Sequence, residues 1–278
     1  KELANNSIGI ISEKPIENNL KDAKKIFNLI KNKKIFFSTT YNYLGYPAIM
    51  EIKPLIKKKI GKVQSFVFEM PQQSFIYKRS NIKKWRLNDK NIPNLYLDLT
   101  SHLLSLIYYF FNEYPKAISN FATKNNKYKI VDNSYAWLKF KSFYGSFWVS
   151  KNATGQRNKL TIRIFGTKGS IKWKHNSPEN IIFCDNDGNI EIIDRLNKKN
   201  KYLNNNKYHT YVAGHPNGFL DAFTNIYAAI SEIFFSKKRN ATVPFIFDLN
   251  NTFKIQSILN IIHKASKKDG WIRLLPSK

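Results

Sequence analysis

From Val63 to Asp194, apolar residues fall at every second position in short runs, several of them parted by turns that contain glycine. Period two is strand spacing, because successive side chains on a strand point to opposite faces. After Val63, Phe66 and Phe68 the runs are Ala117 to Thr123, Ser134 to Phe140, Gly145 to Ser150, Lys159 to Phe165, Ser170 to Lys174, Asn180 to Cys184 and Ile190 to Asp194. Tyr144-Gly145, Thr167-Lys168-Gly169 and Asp187-Gly188 are turn signals between them, so the expected sheet is large and largely antiparallel.

The chain ahead of this region has a different rhythm. Ser7 to Ser12 and Ile35 to Tyr41 are apolar runs, and between them Leu20, Ala23, Ile26, Phe27 and Ile30 carry helical spacing within Asn18 to Lys31. A strand, helix and strand in that order make the repeat of a parallel α/β sheet. Lys1 to Asn5 reads as the tail of a helix, which implies an earlier part of that sheet upstream. Pro47 opens a helix that runs to about Lys59, with Gly61 just past its end. Further helices are expected at Leu97 to Phe111, Gly218 to Phe235 and Asp248 to Lys267, with a last strand at Trp271 to Leu274. The fold class is therefore α/β followed by α+β. Asn197 to Asn206, rich in Lys and Asn, reads as a mobile surface loop.

With 278 residues, 42% of them hydrophobic, the chain can bury a sizeable core, which excludes disorder as its default state. No apolar run reaches membrane-spanning length and no signal peptide is legible at the start, so a soluble, cytoplasmic protein is expected, with no membrane partner. Cys184 is the sole cysteine; it excludes an internal disulfide and a cysteine cluster for zinc, and it reads as a plain strand residue. The formal charge of +27 comes almost wholly from Lys, spread along the chain and accompanied by many Asn and Ile. All three have A/T-rich codons, so base bias accounts for the excess, and no specific nucleic-acid partner is expected.

Two short constellations carry chemistry. Glu13-Lys14-Pro15 follows a strand of the α/β part directly, where ligands of open α/β sheets bind, so Lys14 projects into that crevice or is a solvated loop lysine. In Asp98-Leu99-Thr100-Ser101-His102 a helix presents a carboxylate and an imidazole on one face, for one small ligand or for local capping. No second histidine stands at metal-ligand spacing, so no metal site is expected.

These motifs, taken in order with Tyr41-Asn42-Tyr43, Pro47, Lys59-Ile60-Gly61-Lys62-Val63 and Trp85-Arg86-Leu87, resemble the Gfo/Idh/MocA oxidoreductase family. Gly155-Gln156-Arg157-Asn158, Phe165-Gly166-Thr167-Lys168-Gly169 and Gly214-His215-Pro216-Asn217-Gly218-Phe219 extend the resemblance, toward its sugar-dehydrogenase-like branch, over almost the whole chain. It implies residues 1–46 as the remnant of a dinucleotide-binding, Rossmann-type parallel domain. Residues 47–278 become a substrate-binding domain with a large open, mostly antiparallel sheet flanked by helices, a sheet that often packs against another subunit. It also implies NAD or NADP as cofactor and hydride transfer to or from an alcohol carbon of a sugar or cyclitol.

In such a reaction the proton acceptor is His102, assisted by Lys14, or Lys14 itself, and Asp98 orients substrate or imidazole. Glu13, Lys14 and Pro15 line the cofactor side, and Tyr43, Trp85, Arg86, Asn158 and His215 are substrate contacts. Departures are Thr100 where a glycine is usual, Ile92 to Tyr96 where a glycine pair is usual, and Leu44 where some relatives carry arginine. The glycine-rich turn that seats a pyrophosphate on a helix N-terminus is missing upstream of Glu13. The expectation is a fragment truncated at its N-terminus and inactive when taken alone. Two other readings are a non-enzymatic assembly or binding protein built on the open sheet, and an NAD-dependent glycosidase of the same family.

Overall fold

The computed structural model describes residues 2–6, 8–76, 87, 89, 91–215, 217–235 and 243–274. It opens with a short helix α1 (Glu2–Asn5), strand β1 (Ile10–Glu13), helix α2 (Leu20–Asn32) and strand β2 (Phe37–Thr40). β1 and β2 pair in parallel, Ile10 opposite Phe37 and Glu13 opposite Thr40, as the strand-helix-strand pattern requires. Asn19 caps α2 by accepting from the Asp22 amide. A 3-10 turn (Asn42–Gly45) then leads into α3 (Pro47–Lys59), whose bounds are those expected from Pro47 and Gly61. Gly61 takes φ +71°, and a Cβ there would lie 2.4 Å from Thr167 Oγ1, so position 61 needs glycine twice over.

The large sheet begins with β3 (Val63–Pro71) and continues, after a π turn (Tyr96–Thr100) and α4 (Ser101–Phe111), through β4 (Ala117–Thr123), β5 (Asn133–Lys139) and β6 (Tyr144–Ser150). β7 (Thr161–Gly166), β8 (Gly169–Lys174), β9 (Ile181–Asp185) and β10 (Ile190–Ile193) follow; α5 (Phe219–Phe235), α6 (Leu249–Ala265) and β11 (Ile272–Arg273) complete the order. The nine strands run β10-β9-β8-β7-β3-β6-β5-β4-β11. Every pairing in it is antiparallel except β3 with β6.

Register explains why one face is buried. Asn120, Ala136, Phe147, Phe68, Ile162, Trp173 and Ile181 form one row across seven strands, and all lie inside the core. That face packs against α3, α4 and α6; Asn120, polar in this row, donates to Tyr96 Oη at 2.9 Å and to the Ile262 carbonyl at 3.1 Å. The alternate row, Phe121, Tyr135, Trp148 and Glu69, lies on the other face, where Phe121 and Tyr135 are exposed. The core itself takes in Tyr41, Tyr43, Leu44 and Tyr46, ahead of the boundary expected at residue 47.

Two local expectations need correction. Residues 96–100 form a π turn, in which the Ser101 amide donates to the Tyr96 carbonyl, so α4 begins at Ser101 and Asp98 does not share a regular helix with His102. Asn197 to Asn206 is no free surface loop: Leu203 is buried in the core, and the Tyr202 and Leu203 amides both donate to the buried Glu51 carboxylate, at 2.6 and 3.4 Å. A buried carboxylate needs such donors, and this segment supplies them.

The 3-10 turn that carries Tyr43 is locked onto α5. A Cβ on Gly45 would stand 1.9 Å from the Ala222 carbonyl oxygen, and Asn225 Nδ2 donates to the Gly45 carbonyl at 3.0 Å. Gly45→Ala must therefore push α5 away, and overpacking of this kind costs about 1–3 kcal/mol. The urea midpoint of the variant falls accordingly; an unchanged midpoint would show that turn and helix are not in this contact.

Candidate functional site

The site forms where strands end. β1 delivers Glu13 and then Lys14, whose bond to Pro15 is cis. Because β3 and β6 run in parallel, both also finish at one edge, with Pro71 opposite Ser150, and their continuations Gln72 and Lys151 leave the sheet side by side. The pairing continues past the strands: the Gln72 amide donates to the Ser150 carbonyl at 2.8 Å, and the Phe75 amide to the Lys151 carbonyl at 2.9 Å. These segments, the π turn and the 3-10 turn enclose a cavity of about 560 Å³, within the usual size of small-molecule sites.

Asp98 is the electrostatic centre of this cavity. Lys14 Nζ donates to the Asp98 backbone carbonyl at 2.7 Å and to its Oδ1 at 3.3 Å. Lys151 Nζ donates to Oδ2 at 2.7 Å from a side chain only 3% exposed. The Lys14 pKa is lowered, first by burial and also by the charge of Lys151, while Asp98 and Glu13 oppose that shift. Glu13 accepts a hydrogen bond from Thr40 Oγ1 at 2.6 Å.

His102 lines the same cavity from the first turn of α4. Its ring meets the ring of Tyr43 edge-on, with centroids 5.0 Å apart, and Nδ1 is buried without a hydrogen-bond partner among the described residues. Burial first, then the nearby Lys14 charge, hold its pKa well below the ordinary histidine value, so the imidazole is neutral at pH 7. Thr100, at the position where a glycine is usual, is fully buried, and its hydroxyl likewise has no partner among the described residues.

Of the residues singled out from sequence, Glu13, Lys14, Tyr43, Asp98, His102 and Asn158 line this one cavity. Pro15 lines a second cavity of about 450 Å³ that shares Lys14 and Asp98 with the first. His215 is exposed and lines neither; its carbonyl accepts from Arg195 Nη2 at 2.5 Å. Trp85 and Arg86 lie outside the described residues.

Sequence reasoning missed Lys151, Asn42, Gln72 and Gln73, and did not single out Gln156 or Arg157, all but the first of which line the main cavity. A usable signal existed for Lys151, which follows the apolar run Trp148-Val149-Ser150 directly, as Lys14 follows β1. It also missed His175, whose Nδ1 lies 3.2 Å from the Asn158 carbonyl and whose Nε2 lies 3.0 Å from Tyr46 Oη. A carbonyl can only accept, so Nδ1 carries the hydrogen and Nε2 accepts from Tyr46. This ring ties the Asn158 segment to the aromatic wall behind Tyr43, which it meets at 5.3 Å between centroids. Among the described residues no group of three His, Cys, Asp or Glu is placed to hold a metal ion. No helix among them is long and apolar enough to cross a membrane.

Residues 49–172 match the GFO/IDH/MocA C-terminal domain. Levoglucosan dehydrogenase of Pseudarthrobacter phenanthrenivorans is 23% identical over 192 residues, 60% of this chain and 49% of that protein, so the chain spans about half the length of this curated relative. Among solved structures, an inositol dehydrogenase homolog from Azotobacter vinelandii, complexed with NADH and myo-inositol, superposes with a TM-score of 0.87 at 18% identity. That likeness covers 98% of this chain and 73% of the other. A levoglucosan dehydrogenase in complex with NADH and levoglucosan gives a TM-score of 0.84 at 18% identity, over 99% of this chain and 76% of its own. At such identities the structural likeness shows a shared fold. Together with the match over residues 49–172 and the curated relative, it supports the resemblance to the Gfo/Idh/MocA oxidoreductase family.

Proposed function

We propose that the cavity around Lys14, Asp98 and His102 is the site of an NAD(P)-dependent dehydrogenase for a secondary alcohol or hemiacetal carbon of a sugar or cyclitol. One observation carries this reading: Lys14 and Asp98 stand at the wall between two adjoining cavities. The larger one is lined by the side-chain amides of Asn42, Gln72, Gln73, Gln156 and Asn158, groups that both donate to and accept from hydroxyls. A nicotinamide ring would occupy the smaller one, where Pro15, Ile16, Asn94 and Leu97 would hold it against Lys14. When bound, that ring supplies the hydride acceptor or donor.

The remaining chemistry belongs to this chain. In the oxidising direction Lys14, as the neutral amine, takes the hydroxyl proton and is then held as an ammonium by the Asp98 carbonyl and Oδ1. His102, neutral and with Nδ1 unpartnered among the described residues, bonds the same hydroxyl or its neighbour and fixes which carbon faces the nicotinamide. What supports Lys14 over His102 as acceptor is cost: an imidazolium at position 102 would be a second buried cation beside Lys14, on a ring whose charged form burial already disfavours.

Conversion of NAD or NADP by the full-length gene product with a panel of cyclic polyols and anhydrosugars, followed at the NADH absorbance, tests this reading. Lys14→Ala is expected to lower turnover by about 10²–10⁴-fold, the usual contribution of an acid or base group, and His102→Ala to lower it by less, both with little loss of stability. Near wild-type turnover in either variant removes that residue from the chemistry; absence of cofactor reduction across the panel removes the function.

The same protein assembles with a second copy of itself through the open sheet face. Phe121, Tyr135 and Trp137 are 66%, 47% and 59% exposed there, and Tyr135 stacks on Trp148, so a contiguous aromatic surface is left for a partner to cover. Sedimentation of the wild type should give a dimer or larger, and Trp137→Asp should shift it toward monomer. A wild type that sediments as a monomer at tens of micromolar would contradict this.

A further inference from the structure

Lys151 belongs to no motif that points to the site, yet it is the most deeply buried charge in it. Its side chain is 3% exposed, its Nζ lies 2.7 Å from Asp98 Oδ2, and the face of the Phe75 ring is 5.5 Å away. A lysine carries high rotamer entropy and a strongly hydrated charge, so burying it to this depth is costly unless a partner compensates. The partner is Asp98, and Asp98 is already engaged on its other oxygen by Lys14.

One carboxylate thus faces two ammonium groups. Among the described residues, the other charged and titratable groups around Lys14 do not balance the pair. Glu13, on β1, is turned to Thr40 Oγ1; His102, on α4, is neutral; Tyr43, in the 3-10 turn, has its pKa raised by burial and carries no charge; Arg157, on the far wall of the cavity, and Glu17, on the adjoining one, are surface groups of opposite sign. Buried charge in excess of its partners is relieved when one group gives up a proton. The contacts of the two lysines are unequal: Lys151 has the short contact to the carboxylate, whereas Lys14 has the longer one and leans on a neutral carbonyl.

We propose that Lys151 is a positioning residue of this site: by occupying Oδ2 of Asp98 with a second buried ammonium, it weakens the hold of Asp98 on Lys14 and frees the Lys14 amine to take the substrate's hydroxyl proton. The proposal rests on the dehydrogenase reading for the use of that proton. In the balanced step the O–H bond breaks and an N–H bond forms on Lys14, the carbonyl forms, and the C–H electron pair leaves as hydride to the nicotinamide. Lys151 touches none of the reacting atoms; it acts through Asp98. The direction of the Lys14 shift, in which Lys151 is one of the lowering causes, agrees with this arrangement.

The test reads Lys14 directly, by ¹H–¹⁵N spectra of the lysine side chains in the full-length gene product across pH, with Lys14 assigned through Lys14→Arg. In Lys151→Gln, which keeps a donor to Asp98 without the charge, Lys14 should titrate higher by about one pH unit or more, the usual effect of removing a like charge and freeing an opposite one at this range. Lys151→Arg should restore the wild-type titration. The acid limb of kcat/KM for alcohol oxidation should move up with it, so that below the limb kcat/KM falls about tenfold for each pH unit the limb moves. A purely structural role for Lys151 would lower stability and leave both profiles in place. If Lys151→Gln does not fold, Lys151→Met, which fills a similar volume without the charge and leaves Asp98 in place, is measured instead, and Lys14 should again titrate higher. Identical Lys14 titration with and without the charge at position 151 overturns the proposal. Failure to find any alcohol substrate would instead sink the dehydrogenase reading and leave the spectra to decide the role of Lys151.

Discussion

The parallel pairing of β3 with β6 sets where everything else in this fold can go. In an antiparallel sheet neighbouring strands end at opposite edges, so their continuations diverge. Here two central neighbours end together, and the chain leaving them as Gln72 to Phe75 and as Lys151 to Ala153 stays hydrogen-bonded beyond the sheet. That edge lies beside the end of β1, where Glu13 and Lys14 emerge, and the Lys14–Asp98–Lys151 contacts join the three segments. The helix layer follows from the same sheet, since the row that alternates with the exposed aromatics is apolar on all its strands but β4, where Asn120 stands, and needs α3, α4 and α6 to cover it.

The charges at that edge are held in a way that serves chemistry better than stability. Two buried lysines on one carboxylate are a poor way to stabilise a core, because desolvating each ion costs several kcal/mol before any attraction is counted. The arrangement is costly for the fold and useful for a site, since it loosens a lysine proton and keeps a histidine neutral inside one cavity. The π turn that carries Asp98 belongs to the same pattern, a departure from regular helix placed where a side chain must be aimed.

Most of the strands were legible because period two and glycine turns are local signals. Pro47 and Gly61 marked the start of α3 and, to within a residue or two, its end, and alternation marked most strands of the large sheet. What stayed hidden was of three kinds. The π turn at Tyr96–Thr100 was invisible because the apolar pattern runs on from Leu95 into α4 without a break. The Asp98–Lys151 pair was invisible because its members are 53 residues apart and meet only through sheet order. The anchored segment around Leu203 was masked by its Lys and Asn neighbours, and its partner Glu51 reads in sequence as an ordinary helix-surface charge. Glu13-Lys14-Pro15 and Asp98 to His102 are legible as motifs, yet their meeting in one cavity is implied by the family resemblance and not by any local pattern.

The central claim is that this cavity passes a hydride between a polyol carbon and a nicotinamide. The most direct measurement uses the full-length gene product with NAD or NADP and cyclic polyols deuterated at their ring carbons, followed by mass spectrometry of the recovered cofactor. The account predicts a reduced cofactor one deuterium heavier, formed by the wild type and lost in Lys14→Ala. Reduced cofactor without the label, or no reduction with any polyol, would contradict it.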